Sequence, residues 1–586
     1  MSGAYHLSFI RFLSRSRLPV SRGELLGLPR TSAGRHLGEF SNPNYPLFAH
    51  RLSPGWLFGW KVDTSDHQWN SFRSHLPMLL GLLGLYMLSS TLFNRFYRPS
   101  SQSSTTSLPP KAIFILSFAL PLLFLLHGSS LPKILGILTL NFWVSRLARW
   151  GGKWTKAAPV VGWTVNLAIL FSNELCEGYR WGTISSGLAW LDDEAYRGIL
   201  PRWHINWNIT MLRLISFNLD YYWACTSAPP PLPAPASVSP KTPTHPPTST
   251  TASTERALTT TSHPLTSYSF PLYLAYTLYP PLYLAGPIIT YNSFVSQLLS
   301  PLHTRPPPPP TSTAGRLSPS PRASLQPAPE EVRRKLLVSY AIRFLACLLT
   351  MEVVLHSMYV VAIKDESRRG AWEGASPMEV SMVGFWNLIV VWLKLLIPWR
   401  FFRLWALLDG IDPPENMVRC MANNYSTLGF WRSWHRSYNL WVVRYIYIPL
   451  GGTSHAWLAT LIVFTFVALW HDLSLKLLTW GWVISLFVLP EMIAKKVVPW
   501  EKYGHHSFYR HLAALGGVVN ILMMLTANLI GFAIGTEGTR YMWRSMVGSW
   551  EGIRFMVVAS ACLFVAVQVM FEYREEERRR GISRRC

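Results

Sequence analysis

The sequence predicts an all-α, polytopic membrane protein of about ten to twelve spanning or re-entrant helices, and three observations carry that expectation. Only 14% of its 586 residues are charged, against about 25% in an average globular chain. Hydrophobic residues make up 49% and aromatic residues 14%, with 27 Trp and 29 Phe. Split into soluble domains of about 150 residues, such a chain lacks the polar side chains to cover its own surface. The apolar residues also gather in stretches near the length a bilayer demands, about 20 residues for a helix.

Residues 1–75 read as a basic tail and entry segment, with Arg11, Arg15, Arg17 and Arg22 ahead of the first acidic residue, Glu24. A mitochondrial transit peptide has this composition, but the ordinary multi-span helices that follow favour a basic tail on one side of a membrane. Residues 76–225 hold the first membrane helices (76–93, 112–126, 134–144 and 159–171) and an interfacial helix. Residues 226–266 are nearly all Pro, Ser, Thr and Ala, and residues 301–330 repeat that composition with five prolines in a row, Pro306 to Pro310. Neither has the apolar side chains needed to offset ordering entropy, so both are expected to be disordered inserts outside the bilayer. Between them, residues 267–300 carry Pro280-Pro281 and Gly286-Pro287, which break a helix and predict a re-entrant or kinked segment. A membrane core follows over 331–572, with helices at 336–361, 380–396, 456–470, 477–493, 512–534 and 553–571, and residues 573–586 form a charged C-terminal tail.

The 54 Lys and Arg exceed the 30 Asp and Glu, giving a net charge of +24. The basic residues sit in short clusters between apolar stretches, such as Arg146, Arg149, Lys153 and Lys156. That pattern fits loops beside anionic lipid headgroups rather than the continuous basic face of a nucleic-acid binder. The six cysteines are scattered without paired spacing, so neither a disulfide framework nor a metal site is indicated. There is no P-loop, G-x-G-x-x-G after a strand, H-E-x-x-H or G-x-S-x-G, which excludes the common ATP-driven, dinucleotide, zincin and α/β-hydrolase chemistries. Internal helix-pair repeats are not apparent, which weighs against an inverted-repeat transporter.

Polar groups within membrane segments are costly and therefore functional candidates. The richest cluster spans 423–452, NNYSTLGFWRSWHRSYNLWVVRYIYIPLGG. A continuous helix over 429–447 would align Trp434, Tyr438, Trp441 and Tyr445 in one aromatic stripe, with His435 and Asn439 beside it and Arg432 and Arg436 one turn apart. An interfacial helix with snorkelling arginines accounts for the same aromatics. His471, at the end of the apolar run LIVFTFVALWH, has no place in that account. A neutral imidazole in a low-dielectric site is a suitable general base, and two histidines meet the needs of acyl transfer: one removes the acceptor's proton, the other orients or polarises a reactant. Glu352 and His356, at i and i+4, read as a structural hydrogen-bonded pair, and Asp409, Asp412 and Glu415 as a polar loop. Asn208 and Asn424 begin matches to the glycosylation pattern.

Five stretches resemble the membrane-bound O-acyltransferase family, in its fungal glycerol-uptake branch related to hedgehog acyltransferase. They are PRWHINWNITMLRLISFNLDYYWA (201–224), YPPLYLAGPIITYNSF (279–294), the long run 393–452 ending in FWRSWHRSYNLWVVRYIYIPLGG, FVALWHDLSLKLLTWGW (466–482) and the 520–538 region. The resemblance implies a bundle of that family's type, with His471 as catalytic base and His435 at the family's second polar position. Hedgehog acyltransferase, whose acceptor is an amine, has Asp where this chain has His435, which points to a hydroxyl acceptor here. It further implies acyl-CoA as co-substrate, with Arg432, Arg436 and Arg444 near its phosphates and Trp431, Trp434 and Trp441 lining the acyl tunnel. Cys420 aligns with a haem-ligating cysteine of the hedgehog branch, although a buried free cysteine is the commoner outcome. For the fungal branch the implied acceptor is the lyso form of a glycosylphosphatidylinositol (GPI) anchor, free or on an anchored protein, re-acylated in the endoplasmic reticulum membrane. The competing readings are a glycerol or polyol transporter and a non-catalytic regulator of an acyltransferase pathway.

Overall fold

The computed structural model describes residues 42–97, 108–226, 257–299, 330–471 and 473–582. Most of the basic N-terminal tail, most of both Pro-rich stretches and the last four residues lie outside the described residues. Residues 257–266, which composition assigns to the first insert, include a helical turn, and the His263 ring bonds the Asn292 carbonyl (3.0 Å) and Ser296 Oγ (3.0 Å).

One antiparallel hairpin, β1 (Leu52–Pro54) paired with β2 (Lys61–Asp63), precedes the helices. The principal helices are α1 (His67–Phe96), α2 (Pro110–His127), α3 (Leu131–Ser145), α4 (Gly152–Leu175) and α5 (Trp203–Thr226). Three short pieces follow, α6 (Phe270–Thr277), α7 (Pro280–Leu284) and α8 (Tyr291–Leu299), and then α9 (Glu330–Ser357) and α10 (Pro377–Leu408). The remainder comprises α11 (Thr427–Ser433), α12 (Arg436–Val442), α13 (Ala456–His471), α14 (Leu475–Val497), α15 (Ser507–Asn528), α16 (Gly535–Val547) and α17 (Trp550–Arg579). Among the described residues eight helical stretches are long and apolar enough to cross a bilayer, so the chain is an all-α polytopic membrane protein.

Local chemistry sets the helix starts. Asp66 accepts the Trp69 N–H at 2.9 Å and caps α1. Ser376 and Glu379 form a reciprocal capping box at the start of α10, with Pro377 in the first helical position, where its missing N–H costs nothing. Burial then sorts the helices: the apolar window of α10 is 61% buried, those of α1 and α17 only 6%. α10 is thus central, and α1 and α17 turn their apolar faces outward to lipid.

α5 is the most enclosed helix that hydropathy passes over. Every residue from 210 to 221 is buried, although Arg213, Asn218 and Asp220 interrupt its apolar run. With no water in the bilayer core, such groups must find protein partners, and they do. Arg213 donates to the carbonyls of Thr277 (2.7 Å) and Leu282, the first freed where Pro280 and Pro281 stop α6 and the second lying in the short α7. Asn218 bonds Asn141 of α3. Asp220 accepts from Arg444, Tyr445 and the Asn292 N–H.

The hairpin is locked to the end of α9. Glu352 accepts from Arg73 Nε (2.7 Å) and Nη2 (2.8 Å) and from Trp56 Nε1 (2.9 Å), while His356 Nδ1 meets the Glu352 carbonyl at 2.7 Å. Gly55 lies against this pair, and a Cβ there would fall 2.5 Å from His356 Cδ2 and 2.7 Å from Nε2. Gly55→Ala is therefore expected to destabilise the protein by about 1–3 kcal/mol, the usual cost of overpacking. A thermal-unfolding scan of the detergent-solubilised variant measures it, and an unchanged Tm would show that the hairpin is not held there.

Candidate active site

The continuous helix expected over 429–447 is not what forms. α11 ends at Ser433, His435 adopts the left-handed conformation (φ 46°, ψ 51°), α12 restarts at Arg436, and a π-helical turn occupies Val443–Tyr447. The predicted aromatic stripe accordingly divides. Trp434 stacks on Phe430 (5.5 Å), while Tyr438, Trp441 and Tyr445 stay together at 6.1 and 5.4 Å. The break aims His435 away from the axis of either helix and lays its ring on Trp399 of α10, centroids 4.4 Å apart and planes 13° from parallel.

His435 and His471 stand at the two ends of a short aromatic chain. The His435 ring lies 5.4 Å from Tyr438, Tyr438 lies 4.7 Å from Trp470, and Trp470 lies 4.7 Å from His471. Trp470 is pinned to α5 by reciprocal bonds: its Nε1 donates to the Asn208 carbonyl (2.8 Å), and Asn208 Nδ2 donates to the Trp470 carbonyl (2.9 Å). The last turn of α13 thus cannot rotate freely, and His471 inherits that fixed direction. Asn208, the first residue of one glycosylation match, is committed inside the fold. Asn424, which begins the other, is buried and donates to the Cys420 carbonyl.

His471 is exposed and His435 half-buried, so both rings keep surface that a reactant can reach. His435 lies outside the eight apolar spans, and burial, followed by the neighbouring His471, lowers its pKa to about 3. Its imidazole is therefore neutral at physiological pH, able to donate through one nitrogen and accept through the other.

The predicted binding residues separate. Arg432 is exposed at the end of α11 and Arg436 half-buried at the start of α12, flanking the His435 turn. Arg444 is buried and forms an ion pair with Asp220 (2.8 Å, side chains 7% and 0% exposed), its guanidinium 4.6 Å from the Trp223 ring. Its charge is already neutralised, so it leaves the phosphate-binding set. Trp441 packs between Trp163 (6.1 Å) and Phe466 (5.9 Å) and donates to the Leu212 carbonyl, whereas Trp431 belongs to a separate cluster with Phe464 and Trp480. Cys420 lies on the loop before α11 with exposed surface. Among the described residues no group of three or more His, Cys, Asp or Glu side chains gathers around it, so nothing here supports haem and no step is routed through it.

Three residues that the sequence reading did not single out hold the site. Glu491 of α14 accepts from Ser426 Oγ (2.6 Å) and the Leu428 N–H (3.2 Å), fixing the start of α11. Asn416 binds the start of α12, and Asp220 neutralises Arg444. An acid inside an apolar segment is a signal in itself, and Asp220 and Glu491 carry it. Asn416, in a loop, offers none.

Residues 163–536 match the membrane-bound O-acyltransferase family. The chain is 42% identical to the membrane-bound O-acyltransferase GUP1 of Saccharomyces cerevisiae over 556 residues, 94% of this chain and 90% of that protein. It is 40% identical to the Schizosaccharomyces pombe protein of the same name over 545 residues, 93% and 86% of the two chains. Similarity to the mouse protein-cysteine N-palmitoyltransferase HHAT is 25% over 305 residues, 50% of this chain and 55% of that one.

Proposed function

The chain belongs to the membrane-bound O-acyltransferase family and is an acyltransferase; from that premise we propose that it moves a long-chain acyl group from acyl-CoA to a lipid hydroxyl. The most specific form of the reading is re-acylation of the lyso form of a GPI anchor in the endoplasmic reticulum membrane. The observation that carries it is the pair of histidines joined through Tyr438 and Trp470, each with part of its ring accessible. The acceptor class is supported by the pattern of relatives. Those near 40% identity, matched over almost the whole chain, are named O-acyltransferases, whereas the N-palmitoyltransferase matches only half of it.

In the proposed reaction His471 accepts the proton of the acceptor hydroxyl as its oxygen attacks the thioester carbonyl. The new C–O bond forms, the C–S bond breaks, and CoA leaves as a thiolate that takes the proton back from His471. His435 donates a hydrogen bond to the oxygen on which negative charge develops. Arg432 and Arg436, on either side of the turn, offer charge-assisted bonds to the CoA phosphates. Basic residues support entry of acyl-CoA from the cytosol. Lys111 at the start of α2 reaches Asp409 at the end of α10, and Arg419 in the following loop reaches Glu577 at the end of α17. Those contacts bring the start of α2, the end of α10 and the end of α17 to one face, the face at which the proposed reaction admits acyl-CoA.

The test is direct. The purified full chain in phospholipid vesicles receives labelled long-chain acyl-CoA with either lyso-phosphatidylinositol or a peptide bearing an N-terminal cysteine. Labelled diacyl product with the first and none with the second is expected. Peptide acylation alone would overturn the hydroxyl assignment, and saturable glycerol flux without acyl transfer would favour the transport reading.

A further inference from the structure

We propose that Asn416 is a positioning residue that holds the His435 turn in its left-handed conformation, acting through the backbone and not by touching substrate. The proposal rests on His435 belonging to the reaction site. A left-handed backbone is costly for a residue other than glycine and persists only where the surroundings over-determine it. His435 supplies no side-chain bond to the helix that follows it.

What holds the turn comes from a segment nineteen residues earlier. The N–H of Arg436 donates to the Asn416 carbonyl at 3.0 Å, and the N–H of Ser437 donates to Asn416 Oδ1 at 3.1 Å. These are two of the N–H groups a helix cannot satisfy at its own start. On the other side of His435, Trp434 forms an isolated antiparallel bridge with Met417. The backbone before and after the histidine is thus tied to two successive residues of one loop. Asn416 is fully buried, so water does not replace its oxygen if the side chain is shortened. The loop in turn is anchored to the end of α17, where Arg419 makes a two-pronged pair with Glu577 (3.1 and 2.6 Å) and Arg574 donates to the Asn423 carbonyl (2.8 Å).

The chemistry says which atom matters. Asn416 Nδ2 has no partner, so the acceptor oxygen carries the effect, and an aspartate, which so buried a position holds in its neutral form, keeps that oxygen. Without that oxygen the Ser437 N–H is left buried and unpaired, the turn keeps only its two backbone ties, and the imidazole is no longer held in one orientation on Trp399.

The experiment compares acyl-transfer kinetics of the full chain with Asn416→Ala, Asn416→Asp and His435→Ala. Asn416→Ala is expected to lower kcat about 10- to 100-fold, the scale of loss that misplacing a reacting group by about 1 Å produces, with the KM for acyl-CoA within about twofold. Asn416→Asp is expected to retain kcat within about threefold, a rescue that general loss of packing would not produce. An unchanged kcat in Asn416→Ala beside an impaired His435→Ala would overturn the positioning role alone. Full activity of His435→Ala would instead remove the site reading and this proposal with it. If Asn416→Ala does not accumulate as folded protein, Asn416→Asp decides: retention supports the role, and loss as deep as that of His435→Ala overturns it.

Discussion

Replacing His471 with alanine is expected to lower kcat for acyl transfer by about 10²- to 10⁴-fold, the range a positioned general base contributes, without loss of folded protein. The second half of that expectation follows from the packing. His471 is exposed and ends α13, so alanine opens no cavity in a filled core. The bonds that fix the helix end belong to Trp470 and Asn208 and do not involve the imidazole. Initial rates with labelled acyl-CoA, measured beside the thermal unfolding midpoint of the same preparation, separate the two halves. A variant that unfolds like the parent but transfers at the parental rate would remove His471 from the reaction. A variant that loses both together would make it a structural residue.

How much of this was legible in the sequence depends on the kind of signal. Long apolar helices announce themselves: the stretches 112–126, 456–470 and 477–493 become α2, α13 and α14 to within a few residues, while 76–93, 380–396 and 553–571 are the apolar centres of the longer helices α1, α10 and α17, and α16 lies outside every predicted stretch. The prolines at 280, 281 and 287 break the segment that becomes α6, α7 and α8, because proline cannot continue the hydrogen-bond ladder. α5 escaped as a membrane helix because Arg213 and Asp220 lower its hydropathy. Their partners lie about 65 and 225 residues further on, and no local pattern reveals such pairs. The 429–447 segment failed for a related reason: its aromatic spacing is helical, but tertiary bonds from Asn416 and Glu491 hold it in two pieces. The two histidines were visible as residues that apolar packing does not explain. That they share one aromatic chain is a tertiary fact.

Arg432 and Arg444 show why a motif's arginines cannot be assigned as a group. Arg444→Ala is expected to destabilise the fold by about 3–5 kcal/mol, the cost of leaving one partner of a buried ion pair alone, because Asp220 is fully enclosed and loses its only charged partner among the described contacts. Tyr445 and the Asn292 N–H still donate to the carboxylate, but two neutral donors do not offset a missing guanidinium. Exchanging both members, Asp220→Asn with Arg444→Met, is expected to restore most of the loss, since replacing a buried pair with uncharged groups of similar volume is often close to neutral. Arg432→Ala is expected to do the opposite: it leaves stability nearly unchanged at an exposed position and raises the KM for acyl-CoA up to about fivefold, an exposed ion pair contributing about 0.2–1 kcal/mol. Thermal unfolding and acyl-CoA titration of the same variants measure both effects. A stable Arg444→Ala protein with a raised KM would return Arg444 to the substrate and show that Asp220 can ionise without it.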